Sequence, residues 1–157
     1  MCKQEVHYFT KAIKLAGEKF YVDAIKKFKQ LIDEYPNSDM ADDAEYNIAF
    51  CYYEMNQFEK AIFWLKNLIH SYPDSTISTL ENSNEFGKTV AKAYFLMVNC
   101  YLALNQIEKA KHIIPEIKKY TNSYIKKGDD KITYYQLAKK TIKAYISMAS
   151  KLREKSI

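Results

Sequence analysis

Histidine and cysteine are the residue types in this chain best suited to metal binding or nucleophilic chemistry, and their spacing favours neither. The three histidines, His7, His70 and His112, are far apart, with no carboxylate or cysteine at ligand spacing. The sequence also lacks a glycine-rich phosphate loop, a nucleophile elbow and a paired-carboxylate signature. We therefore expect a protein that is not an enzyme, with no catalytic residues, no metal site and no cofactor.

The three cysteines do not suggest a disulfide framework. Cys2, Cys51 and Cys100 are an odd set without a CxxC pair, so a reducing compartment is the simpler interpretation and we expect a cytoplasmic location. Cys51 and Cys100 fall at the same point of two equivalent helices, which favours small core residues over nucleophiles. Cys2 leaves an alternative open. If it is the first residue of the mature protein it could be acylated, and the chain would be a periplasmic lipoprotein.

Lysine is the most prominent charged residue, and it is concentrated towards the end of the chain. The formal net charge is +5, of which residues 118–157 contribute +8 and the remainder −3. A nucleic-acid or anionic-surface binder that acts through the basic C-terminal helix is therefore one alternative function. The lysines are dispersed around a helix face with little arginine, as on an ordinary solvated face, which argues against nucleic acid.

A tandem repeat organises the elements that would carry any binding site. Ala24 and Ala61 occupy equivalent places and are 37 residues apart. Ala61 and Ala110 are 49 residues apart, so about twelve residues are inserted between the second and third units. The insertion, at about 76–86, is rich in Ser, Thr and Asn, and the sequence predicts a loop or an extra turn there.

Apolar residues at helical spacing predict seven helices and no strand. The predicted helices span about 6–17, 21–34, 40–55, 58–71, 87–104, 107–120 and 132–153, and Pro115 is expected to bend the sixth. Grouped in pairs, they give one domain over 1–157 with repeats at about 6–36, 40–73 and 87–120. A capping helix at about 131–153 would cover the sixth helix and keep its lysines in solvent.

The pairs share a small residue early in the second helix, an aromatic or leucine four residues on, and proline at the exit, and in this they resemble the tetratricopeptide repeat. The matching positions are Ala12, Ala24, Phe28 and Pro36; Ala49, Tyr52, Ala61, Leu65 and Pro73; and Tyr101 and Ala110. The resemblance implies an all-α fold, a right-handed α-α superhelix of three helix pairs plus a C-terminal capping helix. The Tyr-Pro-Asn/Asp-Ser exits look like those of bacterial cell-envelope scaffolds, such as the tol-pal system protein and the outer-membrane assembly lipoproteins.

In that family the first helix of each pair lines the concave side and holds extended or helical peptides. The resemblance implies a peptide-binding groove formed by Phe9, Ile13, Tyr46, Phe50, Tyr53, Phe95, Asn99 and Leu102. The same residues form a second apolar face on the helical wheel, which packing within a repeat does not need. The sequence therefore predicts a non-enzymatic protein-protein interaction scaffold whose partner is a protein or peptide, with Phe50 and Tyr53 at the centre of the site.

Alternatives to an open groove are that the last helix or a second subunit covers the stripe, the latter giving a homo-oligomer. A further alternative is a cell-envelope lipoprotein-type assembly scaffold. The family's carboxylate-clamp variant requires Lys and Asn in the groove, and only Asn99 is compatible with it. No apolar run approaches the length of a membrane span, so none is expected.

Overall fold

The computed structural model describes residues 3–78 and 83–154, and within them it contains eight helices and three short strands. The elements in chain order are α1 (Lys3–Gly17), α2 (Tyr21–Glu34), α3 (Ala41–Glu54), α4 (Phe58–Ser71), β1 (Glu85–Phe86), α5 (Thr89–Ala103), α6 (Ile107–His112), α7 (Ile114–Ile117), β2 (Tyr124–Lys127), β3 (Asp130–Thr133) and α8 (Tyr134–Glu154). From α1 to α6 each helix packs against the next one in sequence. The predicted helix pairs are therefore present.

The buried faces of equivalent helices use equivalent positions. In α2 the buried residues are Ala24, Ile25, Phe28 and Leu31, and in α4, 37 residues further on, they are Ala61, Ile62, Leu65 and Leu68. Positions spaced by three and four residues lie on one side of a helix, so each set forms a stripe against the neighbouring helices. The small alanine at the start of each stripe lets the paired helix approach closely.

Each turn inside a helix pair places one residue in the left-handed region. Lys19, Asn56 and Asn105 have φ of 65°, 57° and 56°. The amide of the following residue donates to a carbonyl five residues back in each case, for example Gln57 N–H to Tyr52 O at 2.9 Å. Asparagine tolerates this conformation better than lysine, so the first turn is the least favourable of the three.

The expectation of a strand-free chain is wrong. β1, β2 and β3 form an antiparallel sheet in that order, in which Phe86 pairs with Tyr124 and Ile125 with Ile132. Gly128, with φ 62°, supplies the positive φ that a two-residue hairpin loop requires. Residues 79–82 of the predicted insertion lie outside the described part of the chain, and its last two residues, Glu85 and Phe86, add an edge strand to the hairpin.

Two predicted helix boundaries also change. Gly87 does not begin α5, because its φ is 106° and a Cβ there would lie 2.5 Å from Ser123 Cα, so the chain turns against the buried Ser123 before the helix starts. The predicted sixth helix is not merely bent but divided at Ile113 into α6 and α7. Pro115 lacks the N–H that an unbroken helix would use at that point.

α8 does not cap the molecule in the expected way. A helix that continued the solenoid would pack extensively on its predecessor, as α3 does on α2 and α5 on α4, but α8 packs chiefly on α5 and less on α6 and α7. Its first half buries Tyr134, Ala138 and Ile142. Its second half extends beyond the core, with Met148 and Leu152 each 66% exposed.

The hydrophobic core falls into two clusters that meet at the second repeat. The smaller joins α1, α2 and part of α3 around Phe28, and the larger runs from α3 and α4 to α8. Tyr52 and Trp64 pack against both clusters. The third repeat, the sheet and α8 consequently share one core.

Candidate functional site

The predicted groove residues fall into three rows along the first helices of the pairs, because each row repeats at the same intervals of 37 and 49 residues. The rows are Phe9, Tyr46 and Phe95; Ile13, Phe50 and Asn99; and Ala16, Tyr53 and Leu102. The structure gives each row a different exposure. Only the middle row has no buried member, with Ile13 39% exposed and Phe50 and Asn99 half-buried.

Two of the eight predicted groove residues are core residues instead. Phe9 is 3% exposed and meets the ring of Phe28 edge-on, with centroids 5.7 Å apart. Leu102 is 4% exposed and belongs to the larger core cluster, which also contains Ala138 and Ile142 of α8. Neither side chain is accessible to a partner, so both assignments to the groove are corrected.

Phe50 and Tyr53 form the most prominent aromatic surface on the inner helix of the second repeat. Their rings stack at 6.5 Å with an interplanar angle of 27°, and Tyr53 meets Phe58 of α4 edge-on at 5.6 Å. Both rings are half-buried. Each therefore packs on the core with one side and leaves the other side free for contact, which is the arrangement of an aromatic anchor at an interface.

A polar cluster that the sequence did not predict lies beside Tyr46. Lys92 Nζ is 4.2 Å from the centroid of the Tyr46 ring and forms an ion pair with Glu85 of β1. Tyr134 of α8, itself 1% exposed, donates its hydroxyl proton to Glu85 Oε1 at 3.1 Å. Burial and the negative charge of Glu85 raise the pKa of both phenols.

This cluster marks where the groove stops. Phe95 of α5 packs on Tyr134, with ring centroids 6.1 Å apart, so α8 occupies the side of α5 that a peptide was expected to use. The alternative in which the last helix covers the stripe therefore applies to the third repeat. One sequence signal could have indicated this cluster. Gly87 follows the insertion and precedes α5, which carries Lys92, and a glycine at such a place favours a close turn of the backbone.

The two described cysteines lie in the core. Cys51 and Cys100 are buried and free, and burial raises the pKa of their thiols to about 11 and about 12, so neither is a thiolate near neutral pH. In residues 3–78 and 83–154, no group of three or more His, Cys, Asp or Glu side chains is placed to hold a metal ion. Cys2 lies outside the described residues.

The fold defines a class of protein. The chain superimposes on the Hsp90 co-chaperone Cns1 of Saccharomyces cerevisiae with a TM-score of 0.67, 14% identity, and coverage of 98% of this chain and 43% of that one. For the TPR2AB domain of yeast Sti1, determined as a pHSP90 complex, the TM-score is 0.66 at 12% identity, with coverage of 98% of this chain and 50% of that one. For the TPR domain of Sgt2 from Aspergillus fumigatus the TM-score is 0.62 at 16% identity, with coverage of 96% of this chain and 83% of that one. The molecule is an all-α tetratricopeptide-repeat solenoid, as predicted.

The sequence places the solenoid in a particular family. The profile of YfiO, an outer membrane lipoprotein, matches residues 1–79, about half of the chain. The chain belongs to this outer membrane lipoprotein family, and the match covers the first two repeats. A comparison with curated protein sequences found no match. The chain spans half or less of the length of Cns1 and of the Sti1 domain pair.

Proposed function

We propose that this protein is a binding scaffold that holds a segment of a partner protein against the inner face of its first two repeats. The proposal is carried by one observation: the stacked Phe50–Tyr53 pair packs on the core with one side and stays half-exposed on the inner helix of the second repeat. Ile13, 39% exposed at the position of the first repeat equivalent to Phe50, extends this surface. Tyr46 borders it on α3.

The chemistry of the face favours an apolar segment over an acidic tail. A carboxylate clamp needs free cations in the groove, and the charge of Lys92 is already engaged by Glu85 and by the Tyr46 ring. Aromatic and aliphatic side chains instead suit a partner with apolar residues at helical or extended spacing. Among the similar folds, Cns1 is an Hsp90 co-chaperone and the Sti1 domain was determined as a pHSP90 complex, which supports protein binding as the activity of this chain.

Family membership supports an envelope location. YfiO is an outer membrane lipoprotein, so the lipoprotein-type assembly scaffold is the alternative that the family favours over a cytoplasmic protein. Among the described residues, no helix combines the length and the apolar character that crossing a membrane requires. Fractionation of source cells with an antibody to this chain tests the location. Recovery only with cytoplasmic markers would contradict it.

The test of the groove is a double substitution, Phe50→Ala with Tyr53→Ala. Partners are recovered from source-cell lysate on the immobilised wild-type protein, and the recovered partner is then titrated against the variant. We expect at least a tenfold weaker Kd, because truncating two central aromatic anchors typically removes 2 kcal/mol or more each. Both rings also pack on the core, so the unfolding free energy is expected to fall by about 1–3 kcal/mol.

Phe63→Ala is the matched control, because Phe63 is an aromatic residue on α4 that is 59% exposed and lies outside the groove. It should leave partner binding unchanged. A milder variant, Phe50→Leu, keeps the core filled and should weaken binding while the fold stays intact. A folded double variant that binds the recovered partner with the wild-type Kd would refute the proposed groove.

A further inference from the structure

A second concave site lies where the first two repeats join, away from the aromatic stack. It is a cavity of about 630 Å³ between the exit from α2, the first turn of α3 and the exit from α4. The residues that matter are Asn37, Ser38, Asp39, Asp42, Tyr72 and Asp74. Three of the eleven lining residues are aspartates, and the described lining contains no lysine, arginine or histidine, although Lys88 Nζ donates to the backbone oxygen of Asp74. We call this cavity the acidic pocket.

Asp42 is the innermost acid of the acidic pocket, and its carboxylate is incompletely satisfied. It is 4% exposed, and among the described residues its Oδ2 has no hydrogen-bond partner. Glu45, one turn further along α3, is 8% exposed, and its Oε2 likewise finds no partner within the described chain. Buried carboxylates are normally paired or hydrogen-bonded, so two neighbouring exceptions need an explanation.

The adjacent Asp43 shows what a satisfied carboxylate looks like here. Asp43 is 5% exposed, and its Oδ2 accepts the backbone N–H of Ser78 at 3.0 Å. The insertion thus provides a donor for Asp43, while Asp42 lines an open cavity instead. The two neighbours on α3 differ in their partners rather than in their burial.

The electrostatic environment favours a cation. Burial and the charge of Asp42 raise the pKa of Glu45 to about 7. Burial, Glu45 and Asp42 raise the pKa of Tyr72, which lines the same cavity. Asp42 lies in the first turn of α3, where the helix dipole favours negative charge.

Repeat packing does not demand acids at these positions. In the first repeat the residues equivalent to Asp42 and Glu45 are Glu5, which accepts a hydrogen bond from Ser38, and Tyr8; in the third repeat they are Ala91, which is fully buried, and Tyr94. An apolar residue therefore fills the same place where the chain closes on itself. Only the second repeat has acids at both positions, and both of them are buried.

We propose that the acidic pocket binds the guanidinium group of an arginine side chain on a partner protein. A guanidinium is planar and presents five N–H donors, which suits the carboxylate, amide and hydroxyl oxygens around this cavity. Tyr72 offers an aromatic ring for stacking. A cavity of this size suits a side chain better than a bare metal ion, and the described residues provide no three-ligand metal group.

The experiment titrates the full chain with three capped tripeptides that differ in one side chain: acetyl-Gly-Arg-Gly-amide, its lysine analogue and its citrulline analogue. Citrulline has the shape of arginine without the charge. Amide chemical shifts report the binding site, and we expect changes at 37–42 and 72–78 with the arginine peptide binding most tightly. Asp42→Asn should weaken that binding at least tenfold, because it neutralises the buried anion.

Controls separate this site from the groove and from loss of folding. Asp23→Asn, at an exposed acid on α2, and the Phe50→Ala, Tyr53→Ala variant should both leave arginine-peptide binding unchanged. If Asp42→Asn does not fold, Asp39→Asn and Asp74→Asn, at exposed acids of the lining, provide the same test and should each weaken binding. Equal affinity for the three peptides, tighter lysine binding, or Ca²⁺ alone binding and displacing the arginine peptide would each overturn the proposal.

Discussion

The second and third repeats use equivalent helix faces in opposite ways. On α5 of the third repeat, Leu102, the residue equivalent to Tyr53, is 4% exposed in the core cluster that it shares with α8, and the acid Glu85 of β1 is paired with Lys92. On α3 of the second repeat the Phe50–Tyr53 stack stays half-exposed. Asp42 and Glu45 also keep an oxygen without a donor among the described residues.

The difference shows how a repeat fold separates stability from function. Where the chain supplies its own cover, the same positions become core and add to the free energy of folding. Where it supplies none, they stay available and keep chemistry that another molecule can satisfy. The family match lies on the half with the available surface, residues 1–79.

The largest effect on this difference between the repeats is expected from removing α8, which covers the third repeat. Ending the chain after Gly128 deletes β3 and α8 and with them the burial of Tyr134, Ala138 and Ile142. We expect loss of the cooperative fold or a fall of 5 kcal/mol or more in the unfolding free energy, roughly the sum of several core truncations. Differential scanning calorimetry and light scattering measure this.

The control ends the chain after Ser147, which removes the part of α8 that contains the 66%-exposed Met148 and Leu152. That chain should melt within a few degrees of the full one. A Gly128 truncation that stays monomeric and melts like the full chain would mean that α8 is an appendage.

A single methyl group should disturb the same region. Gly87→Ala places a Cβ 2.5 Å from Ser123 at a φ of 106°, so backbone strain and overlap together should lower the unfolding free energy by about 2–4 kcal/mol. Urea denaturation gives the change. Gly17→Ala is the control, because a Cβ at Gly17 meets no atom of the described chain within 4 Å, and it should be neutral or slightly stabilising.

The open half should respond to pH through Glu45. Its pKa in the folded protein, about 7, is above its ordinary 4.5, so the folded state holds the proton more strongly. This contribution to stability is present in full below about pH 4.5 and is lost as the pH rises towards 7. Glu45→Gln should therefore stabilise the protein at pH 8, by about 1–2 kcal/mol, and much less at pH 4.5.

Urea midpoints at the two pH values measure the effect of Glu45→Gln. Glu59→Gln, at an exposed acid on α4, should show no such difference. An equal effect of Glu45→Gln at both values would mean that Glu45 is ionised throughout and is satisfied by solvent.

The smallest expected effect concerns the turn of the first repeat. Lys19 has φ 65° where the other turns use Asn56 and Asn105. Lys19→Gly should raise the unfolding free energy by about 0.5–1 kcal/mol, since glycine adopts this region without a steric penalty. Asn56→Gly should change it by less. Thermal melts of both variants measure the change in stability. Destabilisation by Lys19→Gly would contradict the strain argument.

The spacing of apolar residues along the chain was sufficient to predict the paired helices. The stripes led by Ala24 and Ala61 are set by helical spacing, and the structure buries them as the pattern predicts. The groove was less predictable. Phe50 and Tyr53 lie on the expected face, but Phe9 packs edge-on against Phe28, and a helical wheel does not tell which of two apolar faces meets the neighbouring helix.

The sequence by itself determined the helix pairs, their periods and the class of the fold, because these depend on contacts between residues close in the chain. Only the tertiary structure decided the cover on the third repeat, the sheet and the acidic pocket. These features join residues far apart in sequence, such as Glu85 with Tyr134 and Asp42 with the exit after α4. Periodicity within one helix carries no information about which distant segment will return to pack against it.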